Sequence, residues 1–147
     1  MRALTIFPLT ILPFLLYLFF ALFGGGVGED GLPGIQGVLD QPLFKLPMLS
    51  GVDWGFRMGD LILLLGLICL SLEVVKATSA KSSSMMNHAV SMAVFVLAMI
   101  GFFLFARFAT SVYFFLMLMA LVDVVAGSMI TIVSARRDFG VGDGISQ

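Results

Sequence analysis

One cysteine, Cys69, is all that the 147 residues contain, so the chain can form neither an internal disulfide nor a CxxC redox pair. One histidine, His88, leaves little general acid–base machinery, and no Ser/His/Asp set, P-loop or metal-ligand cluster accompanies it. Charge is also scarce. Asp, Glu, Lys and Arg make up 12% of the chain, about half of what soluble domains carry. The net charge of -1 supplies no basic patch for nucleic acid. These shortages argue against an enzyme, a cofactor or a metal centre, and the expectation is none of the three.

What the chain does have is apolar residues, 60% of the total, gathered into long runs. Leu4 to Phe23 is uncharged throughout and ends in bulky Leu22 and Phe23 rather than a small-residue cleavage site, so a retained span is expected. Pro8 and Pro13 should bend it. A second span is placed at 59–77. Its uncharged heart, Leu61–Leu72, is short, and Asp60 and Lys76 would sit at its rims. A third is placed at 89–108 and a fourth at 111–135, joined so closely that they must form an antiparallel pair. The expected fold is an all-α membrane bundle of four transmembrane helices, a single integral domain over 1–147.

Four spans put both termini and the Lys76–His88 connection on one side. That side holds Arg2, Lys76, Lys81, Arg136 and Arg137, against Lys45, Arg57 and Arg107 opposite. The positive-inside rule then places both termini in the cytoplasm, with an inner (plasma) membrane of bacterial type as the location. Between spans one and two runs a long segment, Gly24–Met58, whose glycine and proline density argues against regular helix or sheet. Its second half is too apolar for a free linker. It should lie on the membrane surface or against the bundle, with Trp54 in the headgroup belt. The tail after Arg137 is expected to be loose.

Asp123 is the strongest chemical clue. It is the sole charge in the 25 residues from Ser111 to Ala135. A carboxylate at mid-span costs roughly 2.5–3.5 kcal/mol to insert, so it should face protein or water rather than lipid. At 100° per residue Tyr113, Leu116, Ala120, Asp123, Gly127, Thr131 and Ser134 share one stripe. Gly127 and Ala120 on that stripe, and Gly66 on the second span, are the small residues expected at helix-packing contacts. Ile62, Gly66, Cys69, Glu73 and Lys76 make the corresponding stripe of the second span. Asp123 and Glu73 are therefore the candidate intramembrane polar site, able to approach if the two stripes meet.

Two readings of that pair compete. As a proton- or cation-handling site, two carboxylates in low dielectric would need a bound proton or cation to coexist. As structural glue, Asp123 would be hydrogen-bonded between helices and Glu73 neutralised by Lys76 one turn away. Arg107, at the far end of the third span, is too distant to serve Asp123.

Two further features have plain explanations beside sharper ones. Met85, His88, Met92 and Met99 share an arc of the third span, which could suggest copper, but methionine commonly fills irregular packing gaps. The stretch Asp53, Trp54, Arg57 and Asp60 is a candidate docking interface. Its plainer role is an interfacial segment with Asp60 near a helix N-terminus. Small multidrug transporters share the size and span number, but they need a glutamate in the first helix, and Leu4–Phe23 has no acid.

The sequence thus points to a non-catalytic accessory, assembly or scaffold subunit of a larger membrane complex. Its partners would be the lipid bilayer and other membrane-protein subunits. The alternative is a small proton- or cation-coupled transporter or channel using Asp123 and Glu73.

Overall fold

The computed structural model describes residues 7–24, 31–79 and 84–142, with their side chains except those of 78–79, 84–85 and 130–142. Helix α1 (Ile11–Phe23) is followed by a short helix α2 (Ile35–Leu39) and strands β1 (Pro42–Pro47) and β2 (Asp53–Arg57). Three long helices follow: α3 (Met58–Ser79), α4 (Ser84–Leu104) and α5 (Ser111–Gly142). A 3-10 turn at Ala106–Phe108 separates the last two. Three stretches, Met58–Ala77, Met86–Leu104 and Ser111–Met129, are long and apolar enough to cross a membrane. The chain is predominantly helical and fits a transmembrane protein.

Local chemistry explains where these helices begin. Asp60, at the third position of α3, accepts a hydrogen bond from the backbone N–H of Arg57 at 2.8 Å. That is half of a capping box, satisfying a donor the helix would otherwise orphan. Thr110 caps α5 in the complementary way, its Oγ1 accepting from the N–H of Tyr113 at 3.2 Å. The short Ala106–Phe108 turn folds α4 back along α5, giving the antiparallel pair that the sequence implies.

Three expectations need correction. The first helix starts at Ile11 rather than Leu4, although residues 4–6 lie outside those described. Pro8 precedes the helix and Pro13 lies in its first turn, where N–H groups have no intrahelical partner, so neither needs to bend it. At 13 residues α1 is roughly 20 Å long, short of a ~30 Å hydrocarbon core.

The Gly24–Met58 segment is not without regular structure either. It holds α2 and an antiparallel hairpin that pairs Phe44 with Phe56, Leu46 with Trp54 and Pro47 with Asp53. Pro42 and Pro47 are tolerated because they stand at the two ends of β1, and each strand of a two-stranded sheet is an edge. Lastly, α5 runs beyond Arg137 to Gly142 where a loose tail was expected. A glycine costs ~1 kcal/mol in a helix, but extending an existing helix avoids the nucleation cost.

In the bundle α5 is central, packed along α3 on one side and α4 on the other, while α1 and α2 lie against α3. Tyr17 and Ala21 of α1, Ile62 of α3, Ala98 of α4, and Tyr113 and Leu116 of α5 form the apolar core. Ile35 and Leu39 of α2 close its hairpin end. Gly66 allows the tight α3–α5 approach: a β-carbon there would lie 2.8 Å from Leu116 Cδ2 and 2.9 Å from Met119 Sδ.

Candidate functional site

The buried acidic groups lie in the half of the bundle away from the hairpin. Asp123 is 6% exposed and its Oδ2 accepts two hydrogen bonds, from Ser91 Oγ of α4 at 2.8 Å and Thr10 Oγ1 at 3.3 Å. Glu73 of α3 is fully buried. Its carboxylate pairs with Lys76 Nζ at 2.9 Å and accepts from Asn87 Nδ2 of α4 and from the backbone N–H of Leu9 at 3.0 Å. Lys76 Nζ also donates to the Phe7 backbone carbonyl at 3.3 Å and to Asn87 Oδ1 at 3.2 Å. Four chain segments therefore meet in one network, and the turn before α1 is held by two side chains of α3 and one of α5.

This turn is polar by construction. Pro8 and the start of α1 leave the N–H groups of residues near Leu9 outside any helix ladder, and buried backbone donors must find acceptors. Glu73 supplies one. Such a break is tolerated at membrane depth only where protein groups satisfy it.

The two inward stripes read from the sequence do meet. Ile62, Gly66, Cys69 and Glu73 of α3 are buried, as are Tyr113, Leu116, Ala120 and Asp123 of α5. The carboxylates share the network, but among the described residues no hydrogen bond joins them to each other. Gly127 lies under the His88 ring: a β-carbon there would stand 2.8 Å from Nδ1. His88 Nε2 lies 3.2 Å from Ser128 Oγ, which itself donates to the Val124 carbonyl. Thr131 and Ser134, also placed on the stripe, lie outside the described side chains.

The Met/His arc on α4 is split: His88 turns toward α5, and the methionines do not follow it. Met92 and Met99 are exposed on the apolar exterior, while the buried face carries Asn87, Ser91 and Ala98. Met85 lies outside the described side chains. Among the described residues no group of three His, Cys, Asp or Glu side chains comes together as a metal would require.

The docking candidates are split by the strand–helix junction. Arg57 pairs with Asp40 at 3.3 Å on the surface and Asp60 caps α3, so both hold the hairpin to the helices. Trp54 instead packs edge-on against Phe56 at 5.8 Å, on the opposite face of β2 from Asp53 and Arg57.

Sequence reading missed Thr10, Asn87 and Ser91, and with them the second polar site at the other end. There Tyr17 Oη donates to the Arg107 carbonyl at 3.1 Å and lies 2.7 Å from Thr110 Oγ1. A signal for α4 existed: Asn87 and Ser91 are four residues apart, a polar pair on one face of an apolar run. Between α1 and α4 the bundle leaves an open apolar cleft of about 300 Å³, where Ile11, Leu15 and Leu18 face Val94 and Leu97.

Fold and network together define a helical chain of membrane-protein type with a polar centre. No family model, curated protein or solved structure matches it.

Proposed function

We propose that this chain is a non-catalytic accessory or scaffold subunit of a larger complex in the bacterial inner membrane, with four spans and both termini cytoplasmic. One observation carries the reading: both buried carboxylates accept hydrogen bonds from other segments of the chain, Asp123 through Oδ2 from Ser91 and Thr10, Glu73 from Asn87 and Leu9 with Lys76 as its counter-charge. A carboxylate that cycles a proton or cation needs a path to water and freedom to change partners. One bonded to two other segments, as each of these is, is better suited to fastening helices. The open α1–α4 cleft gives the bundle an apolar surface suited to a neighbouring subunit's helix.

The deciding measurement is pH-driven proton and sodium flux in proteoliposomes, wild type against Asp123→Asn. Asn keeps the size and hydrogen-bonding capacity of Asp and removes the titratable proton. The scaffold reading expects no flux from either protein. It also expects both to migrate, in native gels of membranes in mild detergent, as the same species well above the 15.9 kDa chain in its micelle. Reproducible flux that Asp123→Asn abolishes while the fold survives would replace this reading with a small coupled transporter.

A further inference from the structure

The β1–β2 hairpin has two unlike faces. The register puts Phe44 opposite Phe56 and Leu46 opposite Trp54, so these four apolar side chains share one face. Phe44 and Phe56 stack at 4.9 Å, and Trp54 meets Phe56 edge-on. The other face carries Lys45, Asp53 and Arg57. The apolar face is largely open: every residue of β1 is exposed, Trp54 remains 48% accessible and Leu49 at the tip is wholly exposed, while Phe56 between them is half-buried. A two-stranded hairpin by itself is marginal in water, and one with an aromatic face open to water is worse placed still.

The hairpin is also fixed in position. β2 ends at Arg57 and α3 begins at Met58, with no linker between them. The N–H of Met58 donates to the Gln41 carbonyl at 3.0 Å, extending the hairpin's bonding into the helix start. The Arg57–Asp40 pair ties the same base to the end of α2, whose Ile35 and Leu39 are buried in the core. Met58 opens a stretch long enough to cross a membrane. A bilayer holding α3 therefore ends within a residue or two of the hairpin's base, and a six-residue strand reaches only ~20 Å from there.

We propose that the apolar face, Phe44, Leu46, Trp54 and Phe56 with Leu49 at the tip, lies in the headgroup–acyl boundary of the bilayer as an interfacial anchor. Lipid is the apolar surface that the long helices already bring to this point. Tryptophan and phenylalanine beside a lysine on the opposite face are the chemistry such a boundary selects. The anchor requires only that α3 crosses the membrane, so it stands or falls separately from the scaffold reading.

Trp54 is the single tryptophan of the chain, so its fluorescence reports the hairpin alone. The full chain is reconstituted in phosphatidylcholine vesicles with bromine at shallow or deep acyl positions. Shallow bromine should quench Trp54 at least twofold more than deep bromine, and aqueous acrylamide should quench it severalfold less than free tryptophan. Leu46→Lys, on the apolar face, should restore acrylamide access, whereas Lys45→Gln on the other face should leave it unchanged. Full acrylamide access with no bromine quenching in wild type would overturn the proposal. So would shielding from acrylamide without bromine quenching that disappears on tenfold lipid dilution, since a second copy of the chain would then be the cover. If Leu46→Lys and Lys45→Gln raise acrylamide access equally, the face assignment fails and the anchor with it.

Discussion

Leu9 and Thr10, adjacent in the chain, bind two different buried carboxylates: the Leu9 N–H donates to Glu73 and the Thr10 hydroxyl to Asp123. A two-residue segment ahead of α1 thereby ties α3 to α5. Because Ser91 and Asn87 of α4 bond the same two acids, the polar contacts of all four helical segments converge there. The hydrophobic effect alone supplies no such fixed point in a bilayer, where lipid tails are as apolar as leucine. Hydrogen bonds with defined partners do.

If Asp123 fastens helices, its two donors should matter unequally. Ser91→Ala should destabilise the bundle more than Thr10→Val, because the Ser91 bond is 2.8 Å and the Thr10 bond 3.3 Å. Side-chain hydrogen bonds between membrane helices are worth about 0.6 kcal/mol, at most ~1.7, so losses near 1 kcal/mol are expected. In an Asp123→Leu background both substitutions should lose most of their effect, since their common acceptor is gone. Thermal unfolding in detergent measures all of these. Equal and additive losses in the two backgrounds would show that neither hydroxyl acts through Asp123.

Glu73 and Lys76 form a buried pair that tolerates removal of both members better than removal of one. Lys76→Met leaves a fully buried carboxylate without its cation and should cost about 3 kcal/mol, the lower end for such pairs because Lys76 keeps some solvent contact. Glu73→Gln combined with Lys76→Met should recover most of that loss, the amide retaining bonds to Asn87 and Leu9. A double variant as unstable as Lys76→Met alone would mean that Lys76 acts chiefly on the Phe7 carbonyl.

Much of this arrangement was readable beforehand, for a reason visible in its residues. Stripes on α3 and α5 are marked by small and acidic residues recurring at helical spacing, and Gly66, Glu73, Ala120, Asp123 and Gly127 all lie where that spacing put them. The inward face of α4 escaped because its signal is two neutral side chains, Asn87 and Ser91, beside a more conspicuous arc of methionines. Thr10 escaped because its importance comes from the break before Ile11, and the first apolar run read as continuous helix. The hairpin was hidden for another reason. Strand formation in Pro42–Pro47 depends on pairing with Asp53–Arg57 and on its prolines falling at the ends, and neither is a property of the local sequence.

Gly127 should be intolerant of side chains in proportion to their size. A β-carbon would already press on His88 Nδ1 at 2.8 Å, and the ring cannot swing away without losing Ser128. Gly127→Ala should cost ~1–2 kcal/mol and Gly127→Leu more, in the range of core overpacking at ~1–3 kcal/mol. Phe114→Leu, on a largely exposed face of α5 where Phe102 is its aromatic neighbour, should cost under ~1 kcal/mol. His88→Ala should rescue Gly127→Ala if the ring is the obstacle. Failure of that rescue would place the strain in the backbone contact of α4 and α5.

The orientation of the chain is testable through the two ends of α3. Met58–Ala77 rises roughly 30 Å, a full hydrocarbon thickness, so the hairpin turn at Ser50 and the connection at Ser83 should emerge on opposite faces. Five of the eight basic residues lie in segments assigned to the Ser83 side, from which the positive-inside rule predicts that side to be cytoplasmic. Cys69 is buried and is replaced by alanine to give a silent background. A membrane-impermeant maleimide should then label Ser50→Cys in intact cells and Ser83→Cys only after permeabilisation. The reverse pattern would keep the crossing of α3 and invert the charge argument. Labelling of both positions in intact cells would deny the crossing itself.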